Sequence, residues 1–514
     1  MVASEAQPFS KTGGLADVAA ALPRALGRLG HDVTVITPRY RGVTDGPIVD
    51  RVSIELAGHR FHGALMAAPD DGRGDMKRRP RVLLLDCPEL YDRDGIYYDA
   101  HGDFADNPVR YAFLAASAVE WASTQPPFDI IHSHDWQGGL ASIYARRLGT
   151  RHPAPGTRHS APGTVFTIHN LAYQGVFDKS WVPRLGLPWS EFTLDRGFEY
   201  FDRLSFLKAG INVSGAVTTV SPTYAEEIQR AEYGYGFDGI MRARRDALVG
   251  ILNGIDPDEW NPMADPYLPA PFDADHLEGK AAAKRALLET FGFALSDEML
   301  ARPVIGMVSR MVGQKGLDLI AACAGELLSL GATFVIVGTG EPRYQDMWRD
   351  LSRWHPDRVQ VFVGFDERRA HLVEGGADIF MMPSRFEPCG LNQMYSLRYG
   401  TIPVVRAVGG LVDTVRPRNP RNGQGTGFLF SEYRPEALMA ALRNAVEAYG
   451  NRKVWTRLQK NAMKADFSWD RSAAEYVKLY KRLAPAPAVK KPAAPRRAPS
   501  PRNRGARAAS KNQR

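Results

Sequence analysis

At 514 residues, 44% of them hydrophobic and 24% charged, the chain has the composition of a globular protein and is too long for one ordinary core. No apolar run approaches the roughly 18 residues that a membrane-spanning helix needs, and the three cysteines lack CxxC spacing. These features argue against a membrane protein, a disulfide framework and a cysteine-based zinc site.

The formal net charge of +8 comes from the C-terminal tail, residues 485–514. This tail holds three Lys, six Arg and no acidic residue, so the remaining chain sums to −1. Because it is rich in Pro, Ala and Arg and lacks apolar periodicity, we predict disorder and favour a solubilising extension over a segment that adheres to RNA. We expect no dedicated nucleic-acid partner. Since the first 30 residues lack the apolar core of a signal peptide, we expect a cytoplasmic protein.

The first half of the chain alternates between short apolar strands and helical patterns. The predicted strands are 33–37, 81–86, 128–136, 164–170, 216–221 and 248–254. The predicted helices are 15–29, 109–121 and 137–148. Strands that end in polar residues and are followed by helices indicate a parallel sheet. A first strand should precede the Gly13-Gly14 turn, yet few residues are available, so either that strand is cut short or the true start lies upstream. If Met1 is the start, we expect a short strand and a weakly held Lys11 loop.

Three polar side chains, His132, His134 and Asp135, cluster at the end of the strand predicted at 128–136. Such a cluster could suggest a metal site. Neighbouring residues of a strand point to opposite faces, however, and the spacing is not that of a known zinc motif. We therefore predict no metal here.

An irregular, Pro-rich segment at 256–279 is the best candidate for a linker between domains. A second α/β series follows it. Its predicted strands are 303–309, 333–338, 359–364, 378–382 and 402–405. Its predicted helices are 280–291, 316–330, 342–354, 391–399, 435–449, 451–463 and 469–483. The pattern predicts a second doubly wound domain.

The turn at 383–391 joins a buried apolar strand to a helix and carries Glu387, Cys389 and Gly390. In doubly wound sheets, ligands bind where a strand ends and a helix begins, because the first amides of the helix are unpaired. Two simpler interpretations remain open. Glu387 could be a charge at a helix start, and Cys389 a small buried hydrophobic residue.

Two cations, Arg310 and Lys315, lie five residues apart just after another strand. Arg can bind two phosphate oxygens at once and Lys supplies a point charge, so the pair suits a diphosphate. The turn Gly409-Gly410, with the Thr414 hydroxyl nearby, offers a second phosphate cradle. The chain has no GxxxxGK[ST] motif, and no GxGxxG follows a leading strand, so an ATPase or a dehydrogenase fits poorly.

These motifs occur in a recognisable order. They are residues 11–17, 134–136, 167–175, 252–256, 309–316, 383–391 and 409–414. The set resembles bacterial glycogen synthases, which are related to plant starch synthases, over nearly all of residues 2–483. The resemblance implies a GT-B fold, with two doubly wound Rossmann-like α/β domains facing a cleft. It also implies a retaining glycosyltransferase without a metal or other cofactor, which moves glucose from ADP-glucose to the non-reducing end of glycogen or another α-1,4-glucan.

The same resemblance implies a division of the chain. Residues 1–255 would form the N-terminal catalytic domain on the acceptor side, 256–279 the linker and 280–465 the nucleotide-sugar domain. Residues 466–484 would form a helix that packs back on the N-terminal domain, ahead of the tail 485–514. Because the donor site would draw on both domains, we expect them to close over the donor.

Residue roles also follow from the resemblance. The catalytic set is Arg310, Lys315, Glu387, His169 and Asp135. The substrate-binding set is Lys11, Gly13, Gly14, Asp17, Asn170, Asn253, Cys389, Gly390, Leu391, Tyr395, Gly409, Gly410, Leu411 and Thr414. Tyr395 stands eight residues after Glu387, where many related transferases carry a second Glu, and this favours the glycogen and starch synthase branch. A UDP-glucose-dependent transferase and a non-catalytic glucan-binding homologue remain alternatives.

Overall fold

The computed structural model describes residues 1–69, 78–151 and 161–485, which form two α/β domains built on largely parallel sheets. The predicted fold class is confirmed. Except for residue 485, the tail predicted to be disordered lies outside the described residues. Within the described ranges, no helix combines the length and the apolar content that crossing a bilayer requires.

The N-terminal domain contains the first thirteen strands and nine helices of the described chain. Its strands are β1 Thr34–Pro38, β2 Ile48–Leu56, β3 His59–Ala67, β4 Arg81–Asp86, β5 Tyr98–Asp99, β6 Gly102–Asp103, β7 Ile130–His134, β8 Gly163–Ile168, β9 Val176–Asp178, β10 Glu199–Tyr200, β11 Arg203–Ser205, β12 Ala216–Thr219 and β13 Leu248–Gly250. Its helices are α1 Gly14–Arg28, α2 Pro88–Tyr91, α3 Asn107–Thr124, α4 Asp135–Gly138, α5 Ala141–Arg151, α6 Trp181–Arg184, α7 Phe206–Val213, α8 Pro222–Glu227 and α9 Asp238–Ala243.

The main sheet of this domain has two halves that meet at Val2. One half has the strand order β2-β3-β4-β1 and the other β7-β8-β12-β13. Val2 forms parallel bridges to Ile36 of β1 and to Ser133 of β7. Its amide donates to His132 O at 2.8 Å, and its carbonyl accepts from His134 N at 3.1 Å. The segment around Val2 therefore serves as the short first strand that was expected, and it is hydrogen-bonded to a neighbouring strand on each side.

The hairpin of β2 and β3 is antiparallel, and the strands predicted from the sequence did not include it. Its two-residue turn is Ala57-Gly58, with φ of 54° and 76°. Two positive φ values suit the twist of a hairpin, but the usual sequence signal for such a turn is Asn-Gly or Asp-Gly. Because Ala57 stands where Asn or Asp is usual, the sequence contains no signal for this turn.

The C-terminal domain holds the remaining elements. Its strands are β14 Val304–Val308, β15 Thr333–Gly338, β16 Val359–Val363, β17 Ile379–Met382, β18 Ile402–Arg406 and β19 Phe428–Phe430. Its helices are α10 Glu278–Thr290, α11 Asp297–Ala301, α12 Leu317–Ala322, α13 Ala324–Leu327, α14 Pro342–Trp354, α15 Glu367–Gly376, α16 Asn392–Arg398, α17 Gly409–Thr414, α18 Pro435–Gly450 and α19 Arg452–Met463. The last helix of the chain is α20 Trp469–Leu483.

The C-terminal sheet is parallel throughout, with the order β16-β15-β14-β17-β18-β19. Helices cover both faces of such a sheet, which is why strands such as β15 read as unbroken apolar runs and are buried along their whole length. The helix predicted at 316–330 is instead broken between α12 and α13, next to Cys323 and Gly325, which are poor helix formers. The carboxyl ends of these parallel strands lie at one edge of the sheet. That edge faces the other domain, since Gly409, just after β18, donates to Glu227 there.

The chain passes between the domains twice, and the two passages lie side by side. Residues 256–277, all of them described, contain no helix or strand. Where this segment begins, Ile255 N donates to Phe467 O at 2.8 Å. Helix α20 then packs on α1 of the N-terminal domain through an apolar cluster that includes Leu22, Trp469 and Tyr476.

Candidate active site

The turn between β17 and α16 holds a buried carboxylate that is paired with a cation. Glu387 is 5% exposed. Its Oε2 lies 2.6 Å from Lys315 Nζ and accepts a hydrogen bond of 3.0 Å from Ser384 Oγ. A carboxylate withdrawn from water needs such partners, because an isolated buried charge is costly. The sequence placed Glu387 and Lys315 in one site, and the structure joins them directly.

The loop that carries the two cations is fixed to this turn. Gln314 O accepts a hydrogen bond of 2.9 Å from Arg385 N, and Gln314 Nε2 donates to Phe386 O at 3.0 Å. Gly316 has φ of +78°, and a Cβ there would lie 2.1 Å from Pro383 O. Only glycine allows this approach. The loop holds Lys315 inward, whereas Arg310 is exposed.

The Gly409-Gly410 turn lies directly against the Glu387 turn. Gly409 has φ of +43°, and a Cβ there would lie 1.9 Å from Glu387 O. The Gly410 amide donates to Glu387 O at 3.2 Å, and the Gly409 amide donates to Glu227 Oε1 of the other domain at 3.0 Å. The Thr414 hydroxyl donates to Gly410 O at 2.6 Å. The amides and the hydroxyl predicted to cradle a phosphate therefore bind protein acceptors, which fix the turn and tie the two domains together.

The Lys11 loop of the N-terminal domain is held from beneath by Glu5. The Glu5 carboxylate is buried and accepts hydrogen bonds from Thr12 N, from Thr12 Oγ1 at 2.7 Å and from Tyr97 OH. Lys11 Nζ lies 2.5 Å from Asp17 Oδ1. The expectation of a weakly held loop is therefore wrong, because the loop is anchored by a side chain.

The glycine loop faces the Glu387 turn across the cleft. A Cβ on Gly14 would lie 3.7 Å from Leu391 Cδ1 of the C-terminal domain, and one on Gly13 would meet no described atom within 4 Å. Cys389 joins the same interface, because it belongs to an apolar cluster that includes Leu171 and Ile255 of the other half of the chain. Burial raises the pKa of the Cys389 thiol, so it stays protonated near pH 7. The two domains thus bring their glycine-rich turns together.

Asp135 and His169 occupy the polar ends of β7 and β8. Asp135 has φ of 50°, an uncommon value for a non-glycine residue, and its Oδ1 accepts from His169 N at 2.7 Å. Burial raises the pKa of Asp135 to about 7, against the opposing effect of the His169 and Asn170 amides. Burial lowers the pKa of His169 to about 3, so its ring is neutral near pH 7. No group of three or more His, Cys, Asp or Glu in the described ranges is arranged to hold a metal ion.

Tyr395 belongs to the wall between the domains. It is 7% exposed and stacks on Trp260 with ring centroids 3.7 Å apart and planes 10° apart. Together with Asp17 and Glu259 these rings line a cavity of about 240 Å³ between the domains. The other predicted residues are placed differently, since Leu411 is a fully buried core residue and Asn170 Oδ1 accepts from Ala172 N at 3.1 Å within its own turn.

Several residues of the site lay outside the sequence-based prediction. They are Glu5, Glu227, His134 and Asp413, the last of which accepts hydrogen bonds from Thr223 of the other domain. The first two are buried carboxylates that accept hydrogen bonds from glycine-loop backbone, and single carboxylates give no pattern that reveals such a partner. His134 belongs to the motif at 134–136 but received no role in the predicted site, although its position beside Asp135 could have signalled one.

The fold and this cleft define a two-domain glycosyltransferase of the GT-B type. A family model described as starch synthase catalytic domain matches residues 1–243, and one described as glycosyl transferases group 1 matches residues 296–464. The glycogen synthase of Anaeromyxobacter sp. (strain Fw109-5) is 48% identical over 94% of this chain and 98% of its own length. That of Koribacter versatilis (strain Ellin345) is 43% identical over 93% and 97%. The chain belongs to the glycogen synthase family.

Solved structures agree with this assignment. The catalytic domain of starch synthase IV from Arabidopsis thaliana, bound to ADP and acarbose, superposes with a TM-score of 0.82 at 33% identity, covering 93% of this chain and 97% of that one. Sucrose-phosphate synthase from Thermosynechococcus elongatus reaches 0.54 at 17% identity and shares the fold alone.

Proposed function

We propose that the protein is a glycogen synthase that transfers glucose from ADP-glucose to the non-reducing end of an α-1,4-glucan, with retention of configuration. The observation that carries this proposal is the Lys315–Glu387 pair, which is largely withdrawn from water and whose Lys315 lies on the same loop as the exposed Arg310. The ADP bound to the starch synthase IV domain supports an adenine nucleotide donor.

The ion pair is the part of the site that responds to the donor. A diphosphate competes with Glu387 for the Lys315 ammonium, and Arg310 supplies a second cation that binds phosphate oxygens in pairs. As Lys315 turns to the diphosphate, Glu387 becomes available to accept hydrogen bonds from sugar hydroxyls. Donor binding thus replaces the Lys315–Glu387 pair with two interactions, one between Lys315 and the diphosphate and one between Glu387 and the sugar. Neither Lys315 nor Glu387 is left without a partner.

Transfer exchanges one bond at the anomeric carbon for another. The bond to the diphosphate oxygen breaks, the acceptor hydroxyl oxygen bonds to the carbon on the same face, and its proton passes to the departing phosphate. Arg310 and Lys315 stabilise the negative charge that develops on ADP. Glu387 is assigned to the sugar hydroxyls and Asp135 accepts from the His169 backbone amide, so neither is assigned the role of a covalent nucleophile. Attack within an ion pair fits better, and a glycosyl adduct trapped on any Asp or Glu would disprove it.

The remaining predicted residues surround these atoms. Lys11 and the Gly13 and Gly14 amides approach the donor from the N-terminal domain, and His169 lies near the anomeric carbon. The residues proposed to contact sugar or to shape the cleft are Asp17, Asp135, Asn170, Asn253, Cys389, Gly390, Leu391, Tyr395, Gly409, Gly410, Leu411 and Thr414. Several of these act through packing, since Tyr395, Leu411 and Thr414 are buried.

The decisive experiment incubates the purified chain with glycogen and either ADP-glucose or UDP-glucose and measures released nucleotide and incorporated glucose. Glycogen-dependent ADP release supports the proposal. Faster UDP release would favour the UDP-glucose-dependent alternative, and retained glycogen binding without release from either donor would favour the non-catalytic one. Lys315→Ala is the matched control for turnover at this site. The cytoplasmic location expected from the sequence stays a prediction.

A further inference from the structure

A buried histidine, His134, contacts His169 from inside the N-terminal domain. It ends β7, directly before Asp135, and its side chain is 0% exposed. Its Nδ1 lies 3.0 Å from His169 Nε2, and the ring centroids are 5.3 Å apart. Its other ring nitrogen, Nε2, is buried and has no hydrogen-bond partner among the described residues.

The contact between the two rings requires one shared proton. Burial lowers the pKa of His134 well below its usual range and that of His169 to about 3, so both rings are neutral near pH 7 and each carries one N–H. A hydrogen bond forms only when one of the facing nitrogens is protonated and the other is not. Either His134 donates to His169, or His169 donates to His134.

The unpartnered Nε2 of His134 decides between these arrangements. If His169 donated, the proton of His134 would sit on Nε2, leaving a buried N–H without an acceptor. Orphaned buried N–H groups are rare, and under-satisfied acceptors are less so. The donor is therefore His134 Nδ1–H, and His169 carries its own proton on Nδ1.

We propose, building on the function proposed above, that His134 is a positioning residue that fixes His169 in the Nδ1–H tautomer. The two nitrogens of an imidazole point in different directions, so the Nδ1–H of His169 is turned away from His134. No described residue accepts a hydrogen bond from it, but His169 is only half-buried, unlike His134, so water or a substrate oxygen can accept from this N–H. In this state His169 has no lone pair available, so it donates to an oxygen of the transferred sugar and cannot act as a general base.

The tautomers can be read directly in the full chain labelled with ¹⁵N-histidine. A long-range ¹H–¹⁵N correlation spectrum separates protonated from bare ring nitrogens, and the His134→Asn and His169→Asn variants identify the two rings by loss of signal. We expect His169 to be protonated on Nδ1 and bare on Nε2. A proton on His169 Nε2 would overturn the proposal. The spectrum needs no turnover, so it stays informative even if the protein proves inactive with both donors.

Kinetics test whether the hydrogen bond matters. His134→Asn keeps an N–H near the position of Nδ1, whereas His134→Leu removes it. We expect the Leu variant to lose about 10- to 100-fold in kcat with little change in KM for the donor, as is typical when a supporting hydrogen bond is removed, and the Asn variant to recover most of that loss. Equal losses in both variants would refute a donor role.

His132 provides the control for lost packing. Its ring is also buried, 4.2 Å from that of His134, but its nitrogens bond to Tyr480 OH at 2.8 Å and Thr167 Oγ1 at 2.6 Å, not to His169. We expect His132→Leu to lower the melting temperature while the His169 signals keep the wild-type pattern. A His132 variant that shifted His169 to the other tautomer would mean that packing, rather than the His134 bond, sets it.

Discussion

The Lys315–Glu387 pair is largely withdrawn from water, with side-chain exposures of 19% and 7%. Removing one partner of such a pair costs more than the pair contributes, because the other charge remains buried and uncompensated. The same two groups are proposed to bind different parts of the donor, Lys315 the diphosphate and Glu387 the sugar. A single substitution here therefore affects both the resting site and the charge that develops on the leaving group.

Lys315→Ala should lower kcat/KM for the donor about 10²- to 10³-fold, the usual effect of deleting one group that stabilises developing charge. A chain truncated after Leu483 keeps α20 and should retain wild-type rates. Initial rates of nucleotide release from both proteins check this prediction. Similar losses in the two proteins would disprove the diphosphate role of Lys315.

Asp135→Asn should raise stability above neutral pH while lowering activity. An acid whose folded pKa, about 7, exceeds its ordinary 3.8 loses stabilisation as the pH rises between those values. Above pH 7 the ionised Asp135 lowers the free energy of unfolding by at most about 4 kcal/mol. The effect is smaller to the extent that water still solvates this partly buried carboxylate. The melting temperature of the variant should therefore exceed that of the wild type by more at pH 8 than at pH 5. An equal difference at both pH values would contradict this account.

At the scale of elements, close backbone contacts set the site. The loop after β14 and the turn after β17 touch at Gly316 and Pro383, and the start of α17 touches the same turn at Gly409. Asn392 Nδ2 donates to Val308 O at 3.2 Å and so joins α16 to the end of β14. The cations, the carboxylate and the second glycine turn are thus positioned by three strand ends of one sheet.

Gly316→Ala should destabilise the C-terminal domain by roughly 1–3 kcal/mol and weaken donor binding, since it adds a clash to a positive φ. Gly331→Ala is the matched control, because Gly331 has φ of +68° but a Cβ there would meet nothing within 4 Å. Its cost should be smaller and should leave KM unchanged. Denaturant unfolding and donor KM of both variants test the prediction, which fails if the two behave alike.

At the scale of the whole molecule, two short helices cap each other across the interface between the domains. The Asp413 carboxylate of α17 accepts from Thr223 N at 3.0 Å and Thr223 Oγ1 at 2.7 Å, at the start of α8. In return, Glu227 at the end of α8 accepts from Gly409 N at 3.0 Å. These reciprocal bonds hold the domains in the arrangement that brings Gly14 to Leu391.

Thr223→Val removes one of these bonds and should let the domains separate more readily. We expect KM for the donor to rise about three- to tenfold with kcat little changed, because about 1 kcal/mol of hydrogen bonding is lost from the closed arrangement. Small-angle scattering should show a larger radius of gyration. Thr44→Val changes an exposed threonine of the same domain and should alter neither quantity. An unchanged KM in Thr223→Val would rule out this role for the bond.

Structural features that depend on nearby residues could be predicted from the sequence, whereas features that depend on the packing of distant segments could not. Apolar runs such as 333–338 predicted buried strands correctly, because burial on both faces leaves a continuous pattern. Motif order predicted that Lys315 and Glu387 share a site. The approach of Gly14 to Leu391, by contrast, depends on how two domains pack, and no local pattern encodes that. The same holds for Glu227, whose partner Gly409 is distant in the chain and offers only its backbone.

The return of α20 to the N-terminal domain has a consequence for biosynthesis. Val18, Leu22 and Leu26 of α1 are buried against this helix, which is translated after the entire C-terminal domain. Until residue 483 leaves the ribosome, that apolar surface has no native cover. The N-terminal domain is therefore completed last although it is made first, and the nascent chain exposes a hydrophobic surface of the kind that chaperones bind.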